Sequence, residues 1–469
     1  MCCTSGVAIA VDDACFVGGN KIVNARRSYL LAAALAVSFV SPSRAQVLQT
    51  APLPVPPPWI AQHIFEPSLL PQLTWPWDLG PVAPEDTPVR TRQQPGYELP
   101  GLRYGAWMFD PSLTAGGFFD SNVYSSNTNK QSDFASFLAP SLHAYTLWGG
   151  NSIDLQGDVQ NFRYLNHPGL DETDATFKGS GQYYVTHDGS ILTSFQAASL
   201  HEGVGTLSSP TGAVQPTPYD LFSADITYRQ EFNRLATSFG GRIDSFNYGS
   251  TVNAQGGTID QSYRSGPIYT AHSRVDYAFS PMFGVFTAAE VNDRDLRGMP
   301  GQPLASDGER VLGGVDVAFT HLITGEFGVG YVRQKFDETT VGTIEGPTYR
   351  AMLTWSPTRS IDVHFKAEQL ITETAVTTST GVRANGLQAG VDYEIRRNVV
   401  WSGTAAYENE KFFGQTRVDN VYSIDSRLKY LLSRFSYLSV FYTYVQRDSN
   451  MPTFSFNKQQ VGINVTAQF

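Results

Sequence analysis

Cysteine, charge and long apolar runs are all scarce in this sequence. The three cysteines are Cys2, Cys3 and Cys15, and none follows. Disulfide staples, thiolate metal sites and cysteine nucleophiles are thereby excluded from the rest of the chain. Charged residues make up 16%, against roughly 25% in an ordinary soluble domain. No run of about 18 apolar residues follows position 45, so no transmembrane helix is expected there. A period of 3.6 residues is missing as well, which leaves no room for a helical domain. The net charge is −10. Residues 1–45 hold four basic and two acidic residues, so the remainder has 29 basic against 41 acidic residues. That balance argues against nucleic acid as a partner.

Aromatic residues are plentiful at 13%, with 42 glycines. Mean hydropathy is −0.21, so the apolar residues are dispersed, and the dispersal has period two. In the last eleven residues Val461, Ile463, Val465, Ala467 and Phe469 share one face of an extended strand. Gly462, Asn464, Thr466 and Gln468 share the other. A soluble sandwich can alternate in this way. An outer-membrane barrel needs the alternation and also places aromatics at the membrane interface.

The same pattern recurs from about residue 112. Strands are expected over 113–119, 133–147, 153–159, 175–185, 191–199, 222–228, 235–243, 269–279 and 283–291. Further strands are expected over 311–319, 327–331, 349–355, 361–367, 387–395, 401–407, 422–432, 438–444 and 461–469. Their connections alternate between tight turns, such as Ser280-Pro281, and long polar links, such as 203–218 and 249–266. The expected fold is all-β: a transmembrane antiparallel up-and-down β-barrel of about 18 strands, with 16 as the alternative. Short turns would face the periplasm and long loops the outside. In water each apolar stripe would be an exposed ribbon. In a bilayer, closure pairs every backbone group and the stripe faces lipid.

Ahead of the barrel two segments are expected. Residues 1–45 end in a secretory signal peptide: Arg26-Arg27, the apolar Tyr29–Val40, and small residues at Ser43 and Ala45. The preceding twenty residues match no targeting pattern, and the start is expected near Lys21. Residues 46–111 are Pro-rich and extended, read as a periplasmic tail, with a partner-binding or lumen-occupying role as the alternative. The barrel is assigned to 112–469.

Inward positions supply the candidate site. Asp154, Asp158, Arg242, Asp244, Arg274, Asp276, Arg350, Asp362, Lys366, Glu368, Asp392, Glu394 and Glu408 are expected to line a polar lumen. They would tune selectivity or pair across strands to support the wall. His143, His187, His201, His272, His321 and His364 share no spacing that suggests catalysis, so no enzyme activity and no cofactor are expected. The acidic stretches Asp171–Asp174 and Asp293–Asp295 could offer oxygen ligands to calcium but are read as solvated loops. No metal site is assigned.

Two stretches resemble a known family. Phe119-Asp120-Ser121-Asn122-Val123-Tyr124, and Tyr442–Asn450 leading into the last strand, are similar to the outer-membrane β-barrel porins of type 2. That family is often associated with exopolysaccharide-export operons. The resemblance covers residues 112–469. It implies a porin-like barrel in the bacterial outer membrane, partnered by lipid and the barrel-assembly machinery. Polysaccharide or its export proteins are further implied partners, and association between copies is left open. Phe469, with Val465, Ile463 and Val461, would be the signal read at assembly.

Overall fold

The structure, a computed structural model, describes Val89, Arg92 and residues 94–469, apart from 147, 149, 207–208, 300–303, 320–321, 338–341 and 377–378. The expected signal peptide, most of the Pro-rich segment and His321 lie outside the described residues.

Eighteen long strands follow one another. They are β1 (Trp107–Asp120), β2 (Asp133–Thr146), β3 (Ser152–Tyr164), β4 (Glu172–Tyr184), β5 (Gly189–Glu202) and β6 (Thr217–Phe232). Next come β7 (Leu235–Tyr248), β8 (Gly266–Ser280), β9 (Phe283–Arg294), β10 (Ser306–Phe319), β11 (Ile323–Phe336) and β12 (Thr343–Thr358). The set ends with β13 (Ile361–Thr372), β14 (Gly381–Arg396), β15 (Val399–Phe413), β16 (Val418–Ser433), β17 (Ser436–Ser449) and β18 (Phe456–Gln468). Each pairs antiparallel with the next, and β18 pairs back onto β1, from Ser112↔Gln468 to Asp120↔Gln460. The sheet is therefore a closed barrel without a free edge.

Every expected strand is present, and most are longer than their alternating stretch. Two tight links absent from the expected turns, Asn233-Arg234 and 320–322, complete the alternation of short and long. Asn233 takes a positive φ of 54°, which an asparagine tolerates better than most residues. The first strand begins at Trp107, five residues before the expected boundary, and includes Pro111. A proline is tolerated there because the ladder between β1 and β18 begins only at Ser112, and beside it Pro111 uses only its carbonyl, which accepts from the Phe469 N–H at 3.0 Å. Pro357 likewise falls at the register shift between Trp355 and Thr358.

The alternation sorts side chains as the composition demands. Outward residues form an aliphatic middle band, including Ile226, Val329, Leu387, Ile424 and Ile463, all exposed. Exposed aromatics flank it: Phe279, Trp355, Tyr430 and Phe435 at the short-turn end, Phe134, Tyr269, Tyr331 and Tyr422 at the long-loop end. An aliphatic band between two aromatic girdles is what a bilayer requires of a barrel surface. The inward layer is polar, and much of it is buried, as at Gln460, Thr466, Thr443 and Glu368.

Candidate functional site

All thirteen candidate residues share the inward parity of their strands, and most are held by neighbours across the wall. His143 lies between Asp154, at 2.7 Å, and Asp110, at 3.8 Å. Asp158 accepts from Ser141 at 2.7 Å. Arg242 holds Asp244 at 2.7 Å, and Glu368 sits between Arg310 and Lys366 at 3.4 and 3.8 Å. Asp392 accepts from Ser402 at 2.5 Å and faces His364 at 3.1 Å.

The densest part of this wall is centred on Arg274. Its guanidinium contacts Asp276 at 2.7 Å, Asp316 at 3.2 Å and Glu326 at 2.7 Å, and Arg350 approaches Glu326 at 3.3 Å. All five side chains are nearly inaccessible. Such a cluster is tolerated because each charge meets an opposite one. The same guanidinium lies 4.0 Å from the centre of the Phe286 ring. Two glycines make room for that ring: a Cβ on Gly314 would lie 2.6 Å from it, and one on Gly328 2.9 Å.

Both ends of the lumen carry ordered segments. At the long-loop end, Arg264 lies in a single 3-10 turn within link 249–265. It forms a two-pronged pair with Glu202 at 2.6 and 2.8 Å and stacks on Tyr248 at 3.9 Å. Burial works most strongly against the Arg264 charge, but the Glu202 carboxylate, Tyr248 and Glu373 together outweigh it and raise the pKa. Next to it, the Tyr263 hydroxyl donates to the Ala375 carbonyl at 3.0 Å, tying this loop to link 373–380.

At the short-turn end, Val89, Arg92 and residues 94–106 form a strap along the mouth. The buried Val89 donates its N–H to the Asp362 carboxylate, which also accepts from Ser356 at 2.6 Å. Arg92 donates to the Arg359 carbonyl at 2.5 Å and reaches Glu394 at 3.2 Å, and Gln94 donates to Glu394 at 2.9 Å. Leu99 then lines a cavity together with Asp110 of β1 and Lys429 of β16. Leu102–Tyr104 pairs with Trp107–Phe109 before the barrel begins.

The motif at the end of β1 belongs to the barrel seam. Asp120 receives Lys458 at 2.9 Å and Gln460 at 2.7 Å. The Asn122 amide donates to the carbonyls of Ser126 and Asn457, each at 2.9 Å. Val461, Ile463 and Val465 face outward, as does Phe469, whose ring lies 6.1 Å from Phe435.

Several wall residues were not among the candidates: Asp316, Glu326, Arg310 and Glu410. The parity that places Arg274 inward also places these, so the signal was present. Arg92 and Gln94 had none, since irregular chain has no parity. The acidic stretch Asp171–Asp174 is engaged locally: Asp171 accepts from the Tyr164 N–H at 2.8 Å, and Asp174 contacts His201 at 2.7 Å. Among the described residues, no group of three or more His, Cys, Asp or Glu side chains is placed to hold a metal ion.

A family model described as putative beta-barrel porin 2 matches residues 94–469. No curated protein matches the sequence. Among solved structures, OpdL of Pseudomonas aeruginosa aligns at a TM-score of 0.41 and 11% identity, covering 78% of this chain and 99% of that one. OccK2 (OpdF) of the same organism aligns at 0.41 and 10%, covering 77% and 98%. A mutant of its ferric enterobactin receptor PfeA aligns at 0.42 and 8%, covering 77% and 80%.

Proposed function

We propose, since this chain belongs to the putative beta-barrel porin 2 family, that it is an outer-membrane channel conducting small polar solutes through its lumen. The observation that supports this most is the inward layer. All thirteen charged candidates face the interior of a closed eighteen-strand barrel, while the outward face is apolar between aromatic girdles. Charge on an inner wall is unnecessary for anchoring in lipid and useful for passing hydrated solutes. In this reading the short-turn end faces the periplasm and the long loops face outside, as in other barrels of this kind.

A second reading draws on the two occupied mouths. A strap at one end and a cross-linked loop layer at the other suit a barrel that serves mainly as an anchored component of surface-polysaccharide export. Planar-bilayer recording of the refolded protein separates the two. Discrete conductance steps support the channel. A sealed barrel, shown folded by heat-modifiable migration, would overturn it in favour of the anchored component.

A further inference from the structure

We propose that the lumenal face of β16–β18 holds a binding site for a hydroxylated carboxylate, with Lys429 as its anion-binding group. The proposal deepens the channel reading by naming a class of solute, and it rests on that reading. Lys429, Ser439 and Asn464 stand in one cross-strand row, since Lys429 pairs with Ser439 and Ser439 with Asn464. The Lys429 ammonium sits 4.0 Å from the centre of the Tyr437 ring. Arg427 follows two residues away on the same face, 5.9 Å from the Phe441 ring centre.

Unlike the cations around Arg274, Lys429 forms no ion pair or hydrogen bond with another of the described residues. The two aspartates across the cavity are engaged elsewhere, Asp110 with His143 at 3.8 Å and Asp158 with Ser141 at 2.7 Å. The oxygens Ser439 Oγ and Asn464 Oδ1 are buried and have no hydrogen-bond partner among the described residues. An unmatched cation and two unsatisfied polar oxygens in one row are costly unless something supplies their partners.

The missing chemistry can be read from these groups. The ammonium calls for an anionic oxygen, and Asn464, which lines the same cavity, calls through its Oδ1 for a hydroxyl donor. Tyr437 and Phe441 provide flat apolar walls beside them. The cavity that Lys429, Arg427 and Asn464 line encloses about 70 Å³. By the same measure a single water needs about 10–15 Å³, so the space has room for a carboxylate head group, with the rest of the solute in the lumen.

The test uses the full chain refolded in detergent, with saturation-transfer NMR of galacturonate against galactose. Wild type and K429R should transfer saturation to galacturonate at least fivefold more strongly than to galactose, and K429Q should lose that preference. Equal transfer to both sugars in wild type, or a preference unchanged in K429Q, would overturn the site. Bilayer recordings separate this result from the channel reading. Conductance insensitive to galacturonate counts against the site and leaves the channel. A galacturonate preference that depends on Lys429 in a sealed barrel keeps the site and removes the channel.

Discussion

The guanidinium of Arg92 lies 3.2 Å from the carboxylate of Glu394, although 302 residues separate the two in sequence. The contact fastens chain from outside the barrel to the inner wall at the short-turn mouth. Part-buried charge-assisted bonds contribute about 1 kcal/mol once solvent screening is allowed for. R92A should therefore loosen the strap by about fivefold in equilibrium population. Limited proteolysis between Val89 and Pro100 should speed up to match while the barrel stays intact. An unchanged cleavage rate would show that the pair does not hold the strap.

The wall around Arg274 should be intolerant of single charge removal. R274M leaves Asp276, Asp316 and Glu326 buried together without their shared cation, at a cost of about 3–5 kcal/mol. Urea unfolding in lipid vesicles should show a clearly lowered midpoint. Replacing Arg274, Asp276 and Asp316 together by apolar residues of similar size, with Glu326 left paired to Arg350 at 3.3 Å, should cost less than R274M alone. If this triple variant is the weaker protein, the charges stabilise the wall beyond their mutual neutralisation.

The two faces of the barrel wall can be compared with a single charge on each. Val329, 70% exposed on the outward face near mid-strand, should cost about 2–4 kcal/mol as V329K. Q156K, on the inward face beside Asp158, should fall within about 1 kcal/mol of wild type by the same unfolding measurement. Equal losses at both positions would contradict the assignment of faces.

A pH effect is expected in the long-loop layer. The Asp260 carboxylate accepts from the Ser262 N–H and hydroxyl, each at 2.9 Å, and these bonds hold its pKa below the ordinary 3.8. A lowered folded pKa means that the stabilisation is complete above the ordinary value. It is lost as pH falls through the lowered one. Protection of the Ser262 amide from hydrogen exchange, corrected for intrinsic rate, should be constant from pH 7 to 5 and fall below pH 4. D260N should show no such fall, and a fall that persists in D260N would assign it to another group.

The strands were legible because lipid and lumen impose opposite requirements on neighbouring residues, and period two survives in sequence. Val461, Ile463 and Val465 against Gln460, Asn464 and Thr466 show this without coordinates. The lumenal charges were legible for the same reason, as Arg274 and Asp276 illustrate. Their partners were not. Arg274 meets Asp316 and Glu326 across strands 42 and 52 residues away, and alternation fixes a face without fixing a neighbour. The strap was illegible beyond its composition, since prolines mark an extended chain but not what Arg92 touches. Pro111 marks the opposite failure, where a residue that argues against a strand sits where β18 ends and needs to supply only its carbonyl, to the Phe469 N–H.

The seam between β1 and β18 has a kinetic consequence. Thr114 and Thr466, whose hydroxyls meet at 2.8 Å, are 352 residues apart. Gln460 reaches Asp120 across 340. Bringing such distant ends together costs on the order of 5 kcal/mol in chain entropy, and nothing is gained at the seam until the final strand arrives. Until then the growing sheet has two raw edges, each able to pair with a foreign strand. The Lys458–Asp120–Gln460 clasp thus acts late, and the chain needs a protected environment for as long as its first strand waits for its last.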